Sequence, residues 1–370
     1  MQLLNFTQAQ LQANSAEQLL DVLQEIAHTV EIKSDFSIHH PDYKPLELPH
    51  EVAERFQKMP TQMQHKYLSL QLRSFLYGIY YNGSMQSMLA SDGEGKGLPL
   101  DLENNTVLGV DLGFYERLHA SNCGEGYFEP GWSVLREETD GSLAVTKGGL
   151  KLHIQRDKHL PTIQQAASVG DLIAIRLPKN RVQNGFYMAV GNQGFSRLEN
   201  ANNKPMTVRI YFNFTSEGAV AVMEGLTHRL NELAIPFSFK VLYNPKDYGR
   251  HDSGVLYFDK SDYEVVREAL QVVYRENKSY FQPEVPLFTL KLTQGLALAE
   301  EPEHKFAEQE SFGMNRCQIV ANGLLEAWYQ GDESSQGRME AILKNFALLG
   351  IDVQRTYLNA HSEDIYQVWN

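Results

Sequence analysis

Apolar positions near the start of the chain recur every three to four residues. Leu19, Leu20, Val22, Leu23, Ile26 and Val30 form one such stripe, and Ser15 with Gln18 supplies a capping box at its start. The same period predicts helices over 51–59 and 64–81, the second carrying Tyr67, Leu68, Leu72, Phe75, Leu76 and Ile79. Its aromatic end, Tyr77, Tyr80 and Tyr81, fits a helix packed against the next domain better than a binding site. The stretch from Ser91 to Pro99 is Gly-rich and reads as a linker. It lacks the Lys-Ser or Lys-Thr pair that closes a phosphate-binding loop.

Beyond this stretch the period shortens to two. Strands are expected over 131–135, 142–146 and 150–155, joined by turns at Asp140-Gly141 and Gly148-Gly149. Further strands are expected over 171–177, 186–190, 208–214, 237–243, 255–259 and 287–292, with helices over 216–233 and 262–274. Helices return over 315–329 and 337–349, followed by a possible strand over 354–358. The expected organisation is a helical N-terminal region, residues 1–95, and an α+β domain, residues 96–370. Its sheet is expected to be mixed but largely antiparallel and flanked by helices.

Charge narrows the function. The 370 residues include 33 Lys and Arg against 46 Asp and Glu, a net charge of −13. That balance disfavours nucleic acid or an anionic membrane as a partner, so any anion site has to be a local positive pocket. Cys123 and Cys317 are too few for a disulfide framework and suit a reducing compartment. No basic segment followed by an apolar run opens the chain, and no apolar stretch is long enough to span a bilayer. A soluble cytoplasmic protein is expected.

The most informative fragment is the strand over 150–155. Leu150, Leu152 and Ile154 alternate with Lys151, His153 and Gln155, so Lys151 and His153 share a face about 6.6 Å apart. A fixed cation beside a group that exchanges protons near neutrality suits an anion-handling site. A solvated strand face would look the same.

Lys240 lies within Phe237-Ser238-Phe239-Lys240-Val241-Leu242-Tyr243, where burying an ammonium is costly. It is either an edge-strand lysine that blocks aggregation or a desolvated amine kept neutral to act as a general base. Arg250, in the long connection to the next strand, is placed to reach the same face, and Tyr257 lies further along that strand. Arg316 stands near the start of a helix whose dipole disfavours a cation, a placement that suits a bound anion.

Taken together, Lys151-x-His153, Lys240, Arg250 and the Leu256-Tyr257-Phe258 run resemble the phosphothreonine lyases. The surrounding Gly131-Trp132, Lys147-Gly148-Gly149-Leu150, Gly185-Phe186-Tyr187 and Ser311-Phe312-Gly313 with Arg316 are similar to the type III effector HopA family. That family also supplies the lyase component of class-five lanthipeptide biosynthesis. The resemblance spans roughly residues 125 to 330.

It implies a phosphothreonine lyase-like fold and metal-free β-elimination of phosphate from phosphothreonine or phosphoserine, leaving dehydrobutyrine or dehydroalanine in a peptide. Lys240 would be the base and His153 the acid. Lys151, Arg250 and Arg316 would bind phosphate, with Tyr257 supporting them. No cofactor is implied. The implied partners are a phosphorylated precursor peptide with its leader, a Ser/Thr kinase and other maturation proteins. The lyases carry a second arginine seven residues before the one matched to Arg316, where this chain has Gln309. Lys305, Arg176 and Arg181 are candidate replacements. The competing class is a non-catalytic HopA-like effector or phosphopeptide-binding module.

Overall fold

The computed structural model describes residues 17–48, 50–90, 106–107, 109–195 and 205–369. The expected linker and the capping residue Ser15 lie outside them. A seven-stranded sheet organises the chain, in the order Asn180–Gln183, Phe186–Val190, Phe237–Leu242, Gly254–Asp259, Thr207–Phe212, Leu296–Glu300 and Leu290–Thr293. Each of its ladders is antiparallel. The architecture is α+β.

Alternation assigns the two faces. Phe237, Phe239 and Val241 are buried with Ile210, Leu256, Phe258 and Leu298, in one cluster with Val222, Leu226 and Leu230 of helix Ser216–Glu232. Val266, Leu270 and Val273 of helix Tyr263–Asn277 join the same cluster. Ser238, Lys240 and Tyr257 belong to the other face. Part of that face is covered, because Tyr211 meets Phe312 of helix Phe312–Tyr329 at 6.3 Å and Tyr81 at 6.4 Å between ring centres.

The N-terminal helices share this core. Leu23 and Ile26, on the helix over 17–29, are buried in the same cluster as the sheet, as are Leu68, Leu72 and Phe75 of helix Thr61–Leu76. The helix expected to continue to residue 81 widens into a single π-turn, Tyr77–Tyr81. Such turns interrupt the regular hydrogen-bond ladder and concentrate at functional sites.

A four-stranded sheet, ordered Leu150–Ile154, Leu143–Lys147, Tyr127–Glu137 and Leu172–Leu177, has a separate core. Trp132, Val134, Leu143, Val145, Ile154, Ile173 and Ile175 fill it.

The strand expected over 354–358 is instead a 3-10 turn, Val353–Arg355, followed by irregular chain. Two buried charges bind this segment. Glu300 is fully buried, accepting from Lys260 Nζ at 2.7 Å, Ser362 Oγ at 2.7 Å, Tyr366 Oη at 3.0 Å and Asn359 N at 2.9 Å. Arg316 holds it from the other side, as detailed below.

Candidate functional site

Lys240 faces Met188 on one neighbouring strand and Val255 on the other. Its stem is half-buried, and its ammonium lies 4.5 Å from the centre of the Phe186 ring and 5.5 Å from that of Tyr257. Among the described residues no carboxylate or carbonyl accepts from it. Lys240 therefore occupies an internal strand of the sheet, which removes the edge-protection explanation. Two aromatic faces stabilise a cation there without fixing it by hydrogen bonds.

The Tyr257 ring carries a second cation, Arg209, with Cζ 5.0 Å from its centre. Arg209 pairs with Glu301, which also takes Lys305 Nζ at 2.5 Å. Burial works against the Arg209 charge, but the oxygens of Tyr257, Tyr211 and Glu301 more than offset it and keep the guanidinium above its ordinary value.

Arg250 approaches the opposite side, with Cζ 6.0 Å from the centre of Phe186. Its Nε donates to Asp252 Oδ1 at 2.5 Å and its Nη2 to Oδ2 at 2.9 Å, a bidentate pair. Burial disfavours the Arg250 cation and the Asp252 charge reverses that, so its pKa stands above the usual value. For Asp252 the signs mirror: burial would raise the carboxyl, and Arg250, Asn82 and Tyr77 hold it below the usual carboxylate range. Phe186 thus links Lys240 with Arg250, and Tyr257 links Lys240 with Arg209.

Lys151 and His153 belong to a different sheet, on the edge strand of the four-stranded one. They project from the face opposite Leu152 and Ile154, which pack into that sheet's own core. Both are exposed. The His153 side chain is 65% exposed, with Nδ1 3.5 Å from Glu138 Oε1. No hydrogen bond, ion pair or ring contact among the described residues joins either to Lys240, Arg250 or Tyr257.

Arg316 does not present itself to a ligand. It is 1% exposed, one turn inside the helix, whose N-terminus is capped by the Ser311 hydroxyl accepting from Met314 N. Its Nε donates to Thr356 O at 2.8 Å, Nη2 to Leu358 O at 2.9 Å and Nη1 to Asn315 Oδ1 at 2.6 Å. Burial pushes its pKa down to about 10. The anion expected from the helix dipole is replaced by backbone carbonyls. The adjoining Gly313 has a steric reason: a Cβ there would stand 2.3 Å from the Tyr81 ring.

Arg209, Asp252 and Phe186 have no site role in the sequence pattern, and Tyr77, expected to serve packing, binds Asp252 instead. Arg209 carried the same signal as Lys240, a cation inside an apolar strand, Val208-Arg209-Ile210-Tyr211-Phe212. Asp252 and Tyr77 lie 175 positions apart, and only the fold brings them together.

Comparison with known proteins adds one family. Residues 177–358 match the model of the HopA1 effector protein family. The matched region contains Lys240, Arg250, Tyr257, Arg209 and Arg316, but not Lys151 or His153. The chain is also similar to a solved effector protein from Pseudomonas syringae pv. tomato strain DC3000. That likeness has 16% identity and a TM-score of 0.39, covering 67% of this chain and 80% of the other. The effector protein from Pseudomonas syringae pv. syringae strain 61 gives 15% identity and a TM-score of 0.40, covering 68% and 81%. No curated protein matches.

Proposed function

We propose, with the HopA1 effector family match over residues 177–358 as premise, that this chain eliminates phosphate from phosphothreonine or phosphoserine in a peptide. The observation that carries the reading is Lys240, a half-buried lysine with no hydrogen-bond or ion-pair partner among the described residues, held between two aromatic rings with a guanidinium beside each.

In this reaction the Lys240 amine takes the α-proton. The C–H electron pair becomes the Cα=Cβ bond, and the Cβ–O bond breaks. Phosphate departs with its bridging oxygen, protonated by His153. Arg250 and Lys151 bind the phosphate and Tyr257 supports the site; cations already in place offset the leaving charge without reorganisation. The peptide keeps dehydrobutyrine or dehydroalanine. Maturation of a precursor peptide phosphorylated by a Ser/Thr kinase is the setting we propose.

His153 and Lys240 stand on different sheets with no contact between them among the described residues, which favours a second reading, a HopA-like effector domain that binds phosphopeptides without converting them. One experiment divides the two. Incubation with a phosphothreonine peptide is expected to lighten it by the mass of phosphoric acid. Loss of only the phosphoryl group, with water added, identifies a hydrolase and ends the elimination reading. Tight binding with no mass change makes the binding module the better account.

A further inference from the structure

We propose that Asp252, Tyr77 and Asn82 form an anchor that aims the Arg250 guanidinium, making the N-terminal helical region a positioning part of the phosphate site. The proposal rests on the phosphopeptide reading and names residues which that reading does not contain.

The bidentate pair with Asp252 uses Arg250 Nε and one N–H of Nη2. Among the described residues Nη1 has no acceptor, so the guanidinium keeps its other edge free. That edge belongs to a group lying over Phe186, the ring that also holds the Lys240 ammonium. A planar fork can present one edge to a carboxylate and the other to a phosphate. Asp252 is therefore suited to fixing direction. It does not add attraction, because its own charge opposes an anion.

The carboxylate is fixed in turn. The Tyr77 hydroxyl donates to Asp252 Oδ2 at 3.1 Å and Asn82 Nδ2 to the same oxygen at 3.5 Å. Asn82 also accepts on its carbonyl from His251 N at 2.9 Å, tying down the residue between Arg250 and Asp252. On the Arg250 side, Ser253 Oγ donates to the Arg250 carbonyl at 2.7 Å. Tyr77 opens the π-turn and Asn82 follows it directly. The local widening of the helix thus stands where two anchoring side chains reach the loop.

The test uses full-length protein. Tyr77→Phe removes one hydroxyl from a buried site and is expected to weaken phosphothreonine-peptide binding roughly three- to tenfold. Binding of the unphosphorylated peptide should not change. In an Arg250→Ala background the same substitution should have no effect on affinity, since the anchor has nothing left to aim. Asp252→Glu should restore part of the affinity that Asp252→Asn loses. An equal loss from Tyr77→Phe with and without Arg250 would overturn the proposal. A second readout does not depend on phosphopeptides: the Arg250 Nε–H signal in NMR should be sharp and slow to exchange in wild type and broadened by Tyr77→Phe. A signal indifferent to that substitution also overturns it. If wild type binds no phosphopeptide, the underlying reading fails, and the NMR signal alone decides whether the anchor exists.

Discussion

Lys240 and Tyr257 stand on paired neighbouring strands, with the lysine ammonium 5.5 Å from the centre of the tyrosine ring. Arg209 lies 5.0 Å from the centre of the same ring. The ring is a shared support for two cations, each contact worth about 0.5–2 kcal/mol. Tyr257→Leu is therefore expected to slow single-turnover elimination about tenfold, while Tyr257→Phe, which keeps the ring, retains most of the rate. Equal damage from both substitutions would assign the role to the hydroxyl instead.

Proton transfer predicts a different pattern. Lys240→Ala should reduce elimination by about 100- to 10,000-fold and leave phosphopeptide affinity nearly intact, because the base acts on carbon only in the transition state. His153→Ala should lose less, since phosphate can leave as an anion held by cations. Paired titrations and single-turnover rates on the folded variants check this, and full turnover by Lys240→Ala removes its role as base.

Arg316 should behave as a stabilising residue. Arg316→Leu leaves the Thr356 and Leu358 carbonyls buried without donors. An unsatisfied buried group costs about 1–3 kcal/mol, so urea unfolding should show a loss of at least ~2 kcal/mol. Phosphopeptide affinity of the folded variant should match wild type. A selective loss of affinity at unchanged stability would return Arg316 to the phosphate site.

His40 predicts a pH dependence. Its Nδ1 accepts from Asp42 N at 3.1 Å, so the neutral ring carries its proton on Nε2, 2.8 Å from the Tyr80 hydroxyl. Burial lowers its pKa in the folded chain. The unfolded chain then binds a proton more readily, and stability rises with pH. The contribution is full above the unfolded value of about 6.5 and is lost as pH falls through the lower folded value. Melting temperatures should fall between about pH 8 and about pH 5, and the fall should be shallower in His40→Gln. An identical slope in both proteins would exclude His40 as its source.

Periodicity carried the elements with one clean face. Helix Ser216–Glu232 and strand Phe186–Val190 fall where the spacing of apolar residues places them. Strand Leu296–Glu300 was not legible, because Leu296-Ala297-Leu298-Ala299 is buried on both faces and its residues also favour helix. For the site, a charge inside an apolar strand pointed to Lys240, and the same logic applied to Arg209 would have found a second cation. Helix-dipole reasoning at Arg316 failed for a reason no local pattern contains: the carbonyls of a segment 40 or more positions away fill the place of the anion.

Glu300 carries a consequence for biosynthesis. Its carboxylate has no exposure to water in the finished fold, and three of its four donors among the described residues lie between Asn359 and Tyr366. While those residues are still inside the ribosome, the Glu300 carboxylate lacks three of these partners and the segment that packs over it. Closure of this corner of the sheet must therefore wait until the chain through Tyr366 has emerged. A nascent chain stalled before that point would display an incomplete sheet to chaperones and proteases.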